Sequence, residues 1–374
     1  IHQEGPDGLR EGGDLGAVDF TAKVGKDTEA RLEYGLTRNQ TPTGHLTADA
    51  FVAELTHVSA KLRANAFYNE TEPGFGLKQQ SSALVGVRRF GGELSYKFQE
   101  LIGSKKGARI ARFLDVKAYR EENLETSASR DVAELGLRQE NVTTSAAVGL
   151  RGVIEKPETG PRRRALLTTL DFRHSFEKLG LTLRGERDQP VISDGDSNFF
   201  PKRTIIGLDQ RLFGKATLSV SHEIQEGDDA SSSNTIVGVK ADPWKGGSIT
   251  VAGDRVTSDS GSRIGATFGI DQRIRITDAW MGSFGMSRRQ DLDSDGVIDA
   301  PDDIVPDAPV SPMEEDRNFT SIYVGAGYQN GATTASARLE HKKSQEGRRY
   351  MALFGAAREM NERLSFAGTA RYQQ

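Results

Sequence analysis

The sequence predicts an all-β fold: an antiparallel, up-and-down transmembrane β-barrel of about 20 strands or more, with long extracellular loops. Three observations predict it. Apolar and polar residues alternate with a period of two in run after run, as strands with unlike faces require. The runs are joined by one short and one longer connection in turn, the pattern of periplasmic turns and extracellular loops. Large aromatics stand beside most of the short connections, namely Phe98, Phe176, Phe213, Trp244, Trp280 and Tyr328. Amphipathic rings at one level suit a membrane–water interface. Aromatics flank turns in soluble sandwiches too, so this third observation counts through its recurrence at one end of the hairpins.

Composition permits this reading. The charged fraction is 27% and the mean hydropathy -0.53, values that look soluble at first sight. A barrel shows only alternate residues to lipid and can line its interior with charge. No apolar stretch approaches the roughly 18 residues of a transmembrane helix. Net charge is -4, and no dense Lys/Arg patch points to nucleic acid. The chain has no cysteine, so disulfides, thiolate metal sites and cysteine nucleophiles are all excluded. Residues 1–16 are polar and glycine-rich, without the apolar segment of a signal peptide.

Residues 1–14 read as a flexible lead-in and 15–374 as the barrel. Strands are expected at 15–25 and 27–39, the second with Ala30, Leu32, Tyr34 and Leu36 on one face. Further runs follow at 46–58, 60–71, 82–99, 108–121, 131–140, 143–155, 163–176 and 180–188. The loop 189–203 carries Asp194, Asp196 and the Phe199–Phe200 pair. Runs at 204–213 and 215–225 flank Gly214, and Ala216, Leu218, Val220 and Ile224 share a face. An acidic, serine-rich loop spans Glu226 to Asn234, and strands return at 235–243, 247–256, 263–275 and 279–288. A long acidic loop at 289–318 precedes runs at 319–328 and 333–341. In the closing stretch Ala335, Ala337, Leu339 and His341 oppose Thr334, Ser336, Arg338 and Glu340. One alternating run passes through Met351, Leu353, Gly355 and Ala357; the last has Leu364, Phe366, Gly368, Ala370 and Tyr372 on one face. A weaker aromatic ring is expected at the opposite ends, from Tyr34, Tyr68, Tyr119 and Phe199.

With the short connections inward, the first strand starts outside and the last ends outside. Closure then calls for at least one more strand at each end, and the chain reads as the ordered part of a longer polypeptide. An unusual chain terminus is the alternative.

One local motif has metal chemistry. Asp291, Asp293, Asp295, Asp299 and Asp302 hold positions 1, 3, 5, 9 and 12 of a calcium loop, with Gly296 at 6 and the Val297 carbonyl at 7. Position 12 is not the Glu of an EF-hand, and no flanking helices are evident. The spacing resembles the aspartate-rich calcium repeats of thrombospondin type 3. A structural Ca2+ ion stiffening an extracellular loop is the expectation; a solvated acidic loop is the alternative. Catalytic signals are poor. His2, His45, His57, His174, His222 and His341 are scattered singly, no nucleophile elbow appears, and the chain is not expected to be an enzyme. Arg31/Glu33, Arg184/Glu186, Asp254, Asp271 and Arg338/Glu340 should face the lumen. Their mixed signs argue against strong ion selection.

Several short stretches carry a resemblance: Glu72–Pro73–Gly74–Phe75–Gly76, Arg88–Arg89–Phe90–Gly91, Tyr119 through Thr126 and Arg130–Asp131–Val132. Over most of 15–370 the chain resembles the C-terminal barrels of large proteobacterial surface proteins that carry Ig-like repeats. That likeness implies a Gram-negative outer-membrane barrel joined to extracellular repeats. The aspartate-rich insertion departs from it. The functional expectation is a membrane anchor or conduit for surface-exposed material. A general diffusion porin or receptor-type transporter is the second reading, and a soluble β-rich adhesin or solenoid the third. Expected partners are the lipid bilayer and lipopolysaccharide, further domains of the same precursor, and other surface proteins.

Overall fold

The computed structural model describes residues 13–373 apart from 42–43, 76–85, 103–108, 195–199, 229, 297–317, 345–346 and 362–363. Twenty strands follow one another: β1 (Gly13–Lys23), β2 (Thr28–Thr41), β3 (Gly44–Val58), β4 (Leu62–Thr71), β5 (Val87–Ile102), β6 (Arg109–Asn123) and β7 (Ser129–Glu140). Next come β8 (Thr144–Lys156), β9 (Arg163–Phe176), β10 (Leu181–Asp194), β11 (Lys202–Leu212), β12 (Ala216–Glu226), β13 (Ser231–Ala241) and β14 (Gly247–Ser258). The last are β15 (Gly261–Arg275), β16 (Trp280–Gly296), β17 (Phe319–Asn330), β18 (Thr333–Ser344), β19 (Gly347–Asn361) and β20 (Leu364–Gln373). Each pairs antiparallel with its sequence neighbours, so a solenoid is ruled out.

The sheet closes on itself. Strand β1 pairs with β20 from Gly13↔Gln373 to Ala22↔Leu364, and Phe20 meets Phe366 across the seam with ring centroids 5.4 Å apart. The expected need for extra strands at each end is therefore corrected: an even number of strands returns the last edge to the first. At about 4.8 Å between strands and a tilt near 40°, such a sheet encloses a cylinder about 40 Å across between backbones.

The connections at one rim are uniformly short, from 24–27 and 59–61 round to 331–332 and 362–363. The other rim is mixed. It holds the long connections 72–86 and 297–318, but also the two-residue turn at 259–260. Several strands run farther toward this rim than the sequence pattern suggested. Strand β10 continues past Pro190, which lacks an N–H, by shifting register between Pro190 and Ile192. Ser231 to Asn234, expected in a loop, pair with β12, and Ser232 to Asn234 pair with β14 as well. Strand β16 reaches Gly296, well into the segment expected to be loop, through a shift opposite Ile264/Gly265.

The alternation sorts the wall into two surfaces. Register carries Val18, Tyr34, Phe51 and Glu70 onto one face, and Trp280, Tyr328 and Ala335 onto the same outer face on the far side. Exposed aliphatic residues crowd that exterior: Val18 is 62% exposed, Ile206 62% and Val324 56%. A continuous apolar belt of this kind cannot face water without aggregating; hydrocarbon is its solvent. On β19 the outward residues are Tyr350, Ala352, Phe354 and Ala356, so Met351, Leu353, Gly355 and Ala357 look inward.

Both aromatic levels are present, with one change. At the short rim, Trp280 lies against Tyr328 at 4.9 Å between centroids, and Phe98, Phe176 and Trp244 are exposed. Phe213 takes a positive φ of 45° in the turn 213–215 and is 99% exposed, thrust outward as an interfacial anchor. At the mixed rim Tyr34 and Tyr68 face outward as expected, joined by Phe51, Phe90 and Tyr350. Tyr119 does not: counted from outward Val116 it has the opposite parity, and it is buried in the lumen. Phe199 lies outside the described residues.

Candidate functional site

The site is the lumen, built from the second residue of each alternating pair. Arg31, Glu33, Arg184, Glu186, Asp254, Asp271, Arg338 and Glu340 all lie on its face, as the sequence predicted. Arginines are spaced around the wall, each beside carboxylates of neighbouring strands. Arg31 reaches Asp19 at 2.5 Å and Glu33 at 2.8 Å. Arg138 donates to Asp115 at 2.9 Å and to Glu140, and its guanidinium lies 4.2 Å over the Phe113 ring. Arg151 bridges Glu134 and Asp188, and Arg203 pairs with Glu223 at 2.7 Å. Arg338 donates to Glu340 at 2.8 Å while stacking 3.8 Å over Tyr323, whose hydroxyl donates to Asp271. Gly285 makes that last contact possible, since a Cβ there would sit 2.5 Å from the Tyr323 ring.

One pair is withdrawn from water. Arg289 donates to Asp254 through both terminal nitrogens, at 2.9 and 3.1 Å, and each side chain is only 3% exposed. To reach β14 from β16 the arginine crosses β15 above Gly265, where a Cβ would lie 2.6 Å from Nη2. Burial and fork geometry both strengthen this contact relative to an exposed pair.

The lumen also contains an apolar shelf. Tyr119, Val132, Val153 and Ala165 form one inward row across β6 to β9, with Leu167 one step along. Phe200, at the inner end of the β10–β11 connection, is seated among them at 5% exposure, and Phe67 packs alongside. Phe200 thus adds its ring to the inner wall at this level. On the rim side of the shelf runs a row of alternating charge: Arg89, Glu121, Arg130, Glu155 and Arg163 stand opposite one another in turn. Arg89 lies 4.0 Å over Tyr119. On the other side of the shelf, toward the short rim, a bay of about 680 Å³ is lined by Arg63, Glu93, Asp115, Lys117, Glu134 and Arg138 among others.

The proposed calcium ligands are only partly within the described residues. Asp291 is inward beside Arg289, at 3.9 Å, and its backbone N–H donates to Asn318. Asp293 pairs opposite outward Ile264 and so lies on the other face of β16. Asp295 is the penultimate residue of the same strand; Val297, Asp299 and Asp302 lie outside the described residues. Among the described residues no three His, Cys, Asp or Glu side chains converge. Three of the histidines bond to cross-strand threonines on the outer surface: His57 with Thr28, His174 with Thr144 and His222 with Thr235, at 2.7–2.9 Å. Neither Tyr119 nor Phe200 was recognised as luminal from sequence. Parity counted along β6 could have found Tyr119; no local signal marks Phe200.

No protein-family profile and no curated relative matches the chain. Among solved structures it resembles the siderophore receptor PirA from Pseudomonas aeruginosa, with a TM-score of 0.51, 6% identity, and 97% of this chain and 80% of that one covered. The ferric-catecholate import receptor Fiu from E. coli K12 gives a TM-score of 0.49, 9% identity and coverage of 97% and 81%. OccAB4 from Acinetobacter baumannii gives 0.48, 9%, and 97% and 98%. The likeness is one of fold, and the first of these carries it. With the apolar belt between two aromatic levels, that fold places the chain in an outer membrane.

Proposed function

We propose that the barrel is an outer-membrane conduit with a wet, mixed-charge lumen that passes hydrophilic solutes with little preference for sign. The observation that carries this reading is the circuit of arginine–carboxylate pairs around the inner wall, from Arg31 through Arg138, Arg151, Arg203 and Arg289 to Arg338. Closely spaced opposite charges hydrate a passage yet cancel at a distance beyond the Debye length of about 8 Å. Phe200 and the shelf beneath it form the narrow zone.

Reconstitution of the purified protein into a planar bilayer tests this. Discrete conductance steps are expected, with a reversal potential near zero in a KCl gradient. Phe200→Ala should enlarge the step. A silent bilayer from folded protein would reject the conduit and favour the anchoring role for surface-exposed domains. The receptor-type alternative draws on the fold shared with the siderophore receptor; it would appear as ligand-specific uptake without conductance.

A further inference from the structure

The short rim has a regular edge, and one hairpin breaks it. At successive junctions one backbone bond ties the end of a strand to the neighbouring turn. Ser175 N–H donates to the Thr143 carbonyl, Arg211 to Gly180, Arg273 to Gly246 and Glu359 to Ala332. Each of these donating strands ends within two residues of its bond. On β5 the same bond runs from Lys97 N–H to the Lys61 carbonyl at 2.7 Å, yet the strand continues five residues farther, to Ile102. Its ladder with β4 stops at Leu62↔Tyr96, and the ladder of β6 with β7 begins only at Ala111↔Glu140. Below them β5 and β6 still pair with each other, down to Ile102↔Arg109. Among the described residues, 98–102 therefore have a strand on one side only. At about 3.4 Å per residue and a tilt near 40°, the ribbon stands about 13 Å below the rim.

An open strand edge presents alternate N–H and C=O groups to any chain that can pair with them. This edge has side chains to match. Leu101 stands opposite Ile110 on the outer face, and Phe98 and Leu101 are 49% and 41% exposed. The local charge is lopsided. Residues 97–112 include Lys97, Lys105, Lys106, Arg109 and Arg112 against the single carboxylate of Glu100. That carboxylate is already shared between Lys97 at 3.0 Å and Arg109 at 3.8 Å. Lys61, exposed in the turn above, adds to the same sign. Like charge opposes pairing with a second copy of this hairpin and favours an acidic strand.

We propose that the β5 edge at 98–102 receives an extended segment of a periplasmic protein, acidic and apolar at alternate positions, which joins the sheet as a strand beneath β4. Main-chain bonds to β5 hold it. Its apolar side chains lie beside Leu101 on the outer face, and its carboxylates turn toward Lys97 and Arg109 on the inner one. The inference rests on the short rim facing the periplasm and not on the conduit: a barrel that conducts nothing would still offer this edge.

The probe is a short acetylated and amidated peptide of alternating glutamate and valine, added to the full chain folded in detergent micelles. Hydrogen exchange reads the edge: amides at 98–102 should exchange openly without peptide and more slowly, by at least about tenfold, with it. Anisotropy of the labelled peptide, corrected for empty micelles, gives the affinity. N-methylation of the valines and of the glutamates should have unlike effects, because alternate residues of an added strand turn their N–H groups toward β5. One series should bind at least about tenfold more weakly and the other nearly as well as the parent. Lysine in place of glutamate should also weaken binding by about tenfold or more. Leu101→Pro should abolish binding while the barrel keeps its heat-modifiable migration. Should that variant misfold, F98A/L101A is expected to weaken binding severalfold. Lys215→Gln, in another short-rim turn, should leave it unchanged. Equal binding of the two methylated series, slow exchange at 98–102 in the protein alone, or no binding at millimolar peptide would overturn the proposal. So would dimers of the purified barrel that protect this edge without any peptide.

Discussion

Removing one partner of the Arg289–Asp254 pair leaves a charge in a site that is only 3% exposed, and its cost can be worked from the structure. Two short hydrogen bonds at 2.9 and 3.1 Å, with a third contact to Thr267 at 3.4 Å, are lost in Arg289→Ala. Truncating one member of a buried pair costs about 3–5 kcal/mol, mostly from the stranded partner. Replacing both members strands nothing, so Asp254→Ala/Arg289→Ala should cost less than the sum of the singles by roughly 2–4 kcal/mol. By the entropy scaling of globular chains, a single of this size lowers the unfolding midpoint of 374 residues by about 5 °C. The assay is the temperature at which the compact band of unheated samples converts to the unfolded band, measured in one detergent for wild type, both singles and the double. Gly265→Ala should behave as a partial disruption, because its Cβ would press on both Arg289 and Asp254. Additive singles, each below about 0.5 kcal/mol, would refute the reasoning; they would mean that water screens the pair and that this part of the wall is open.

Three further outcomes are expected. A charge on the lipid face, as in Val324→Arg, should cost about 2–4 kcal/mol near the midplane and impair assembly into vesicles, whereas Ser336→Arg on the luminal face should assemble normally. Equal assembly of the two would break the assignment of faces. If the acidic segment holds Ca2+, millimolar calcium should protect 289–318 from protease and Asp291→Asn/Asp293→Asn should abolish the protection. Because these two aspartates leave opposite faces of β16, binding should also loosen the end of the β15–β16 ladder in hydrogen exchange. Unchanged cleavage and exchange on adding calcium would dispose of the site. Finally, Phe213→Ser should weaken retention in the bilayer without altering conductance, which a hydrophobic-partitioning measurement can follow, since this side chain touches only the short-rim interface.

Much of the wall was legible in the residues themselves. The faces of β2, β12, β18 and β20 follow from their alternation, and so does the luminal position of Arg31, Asp254, Asp271 and Arg338. Strand ends were harder. Pro190 and the run Ser231 to Asn234 carry the composition of loops, yet strand pairing holds them in the ladder, through β9 for Pro190 and from both sides for Ser232 to Asn234. Of the candidate site, the charged pairs were readable as types and sides, but their partners were not.

Within an unbroken strand the sequence alone determined which side of the wall a residue occupies, because the pleat is a local property with a period of two; a bulge, such as the one between Asp291 and Asp293, resets that count. Tertiary structure alone decided what meets what. The seam between β1 and β20, the reach of Arg289 over Gly265 to Asp254, the seating of Phe200 on the shelf and the continuation of β5 past Lys97 all depend on register. Register accumulates through every hairpin and bulge around a closed sheet, so no single stretch of the chain contains it.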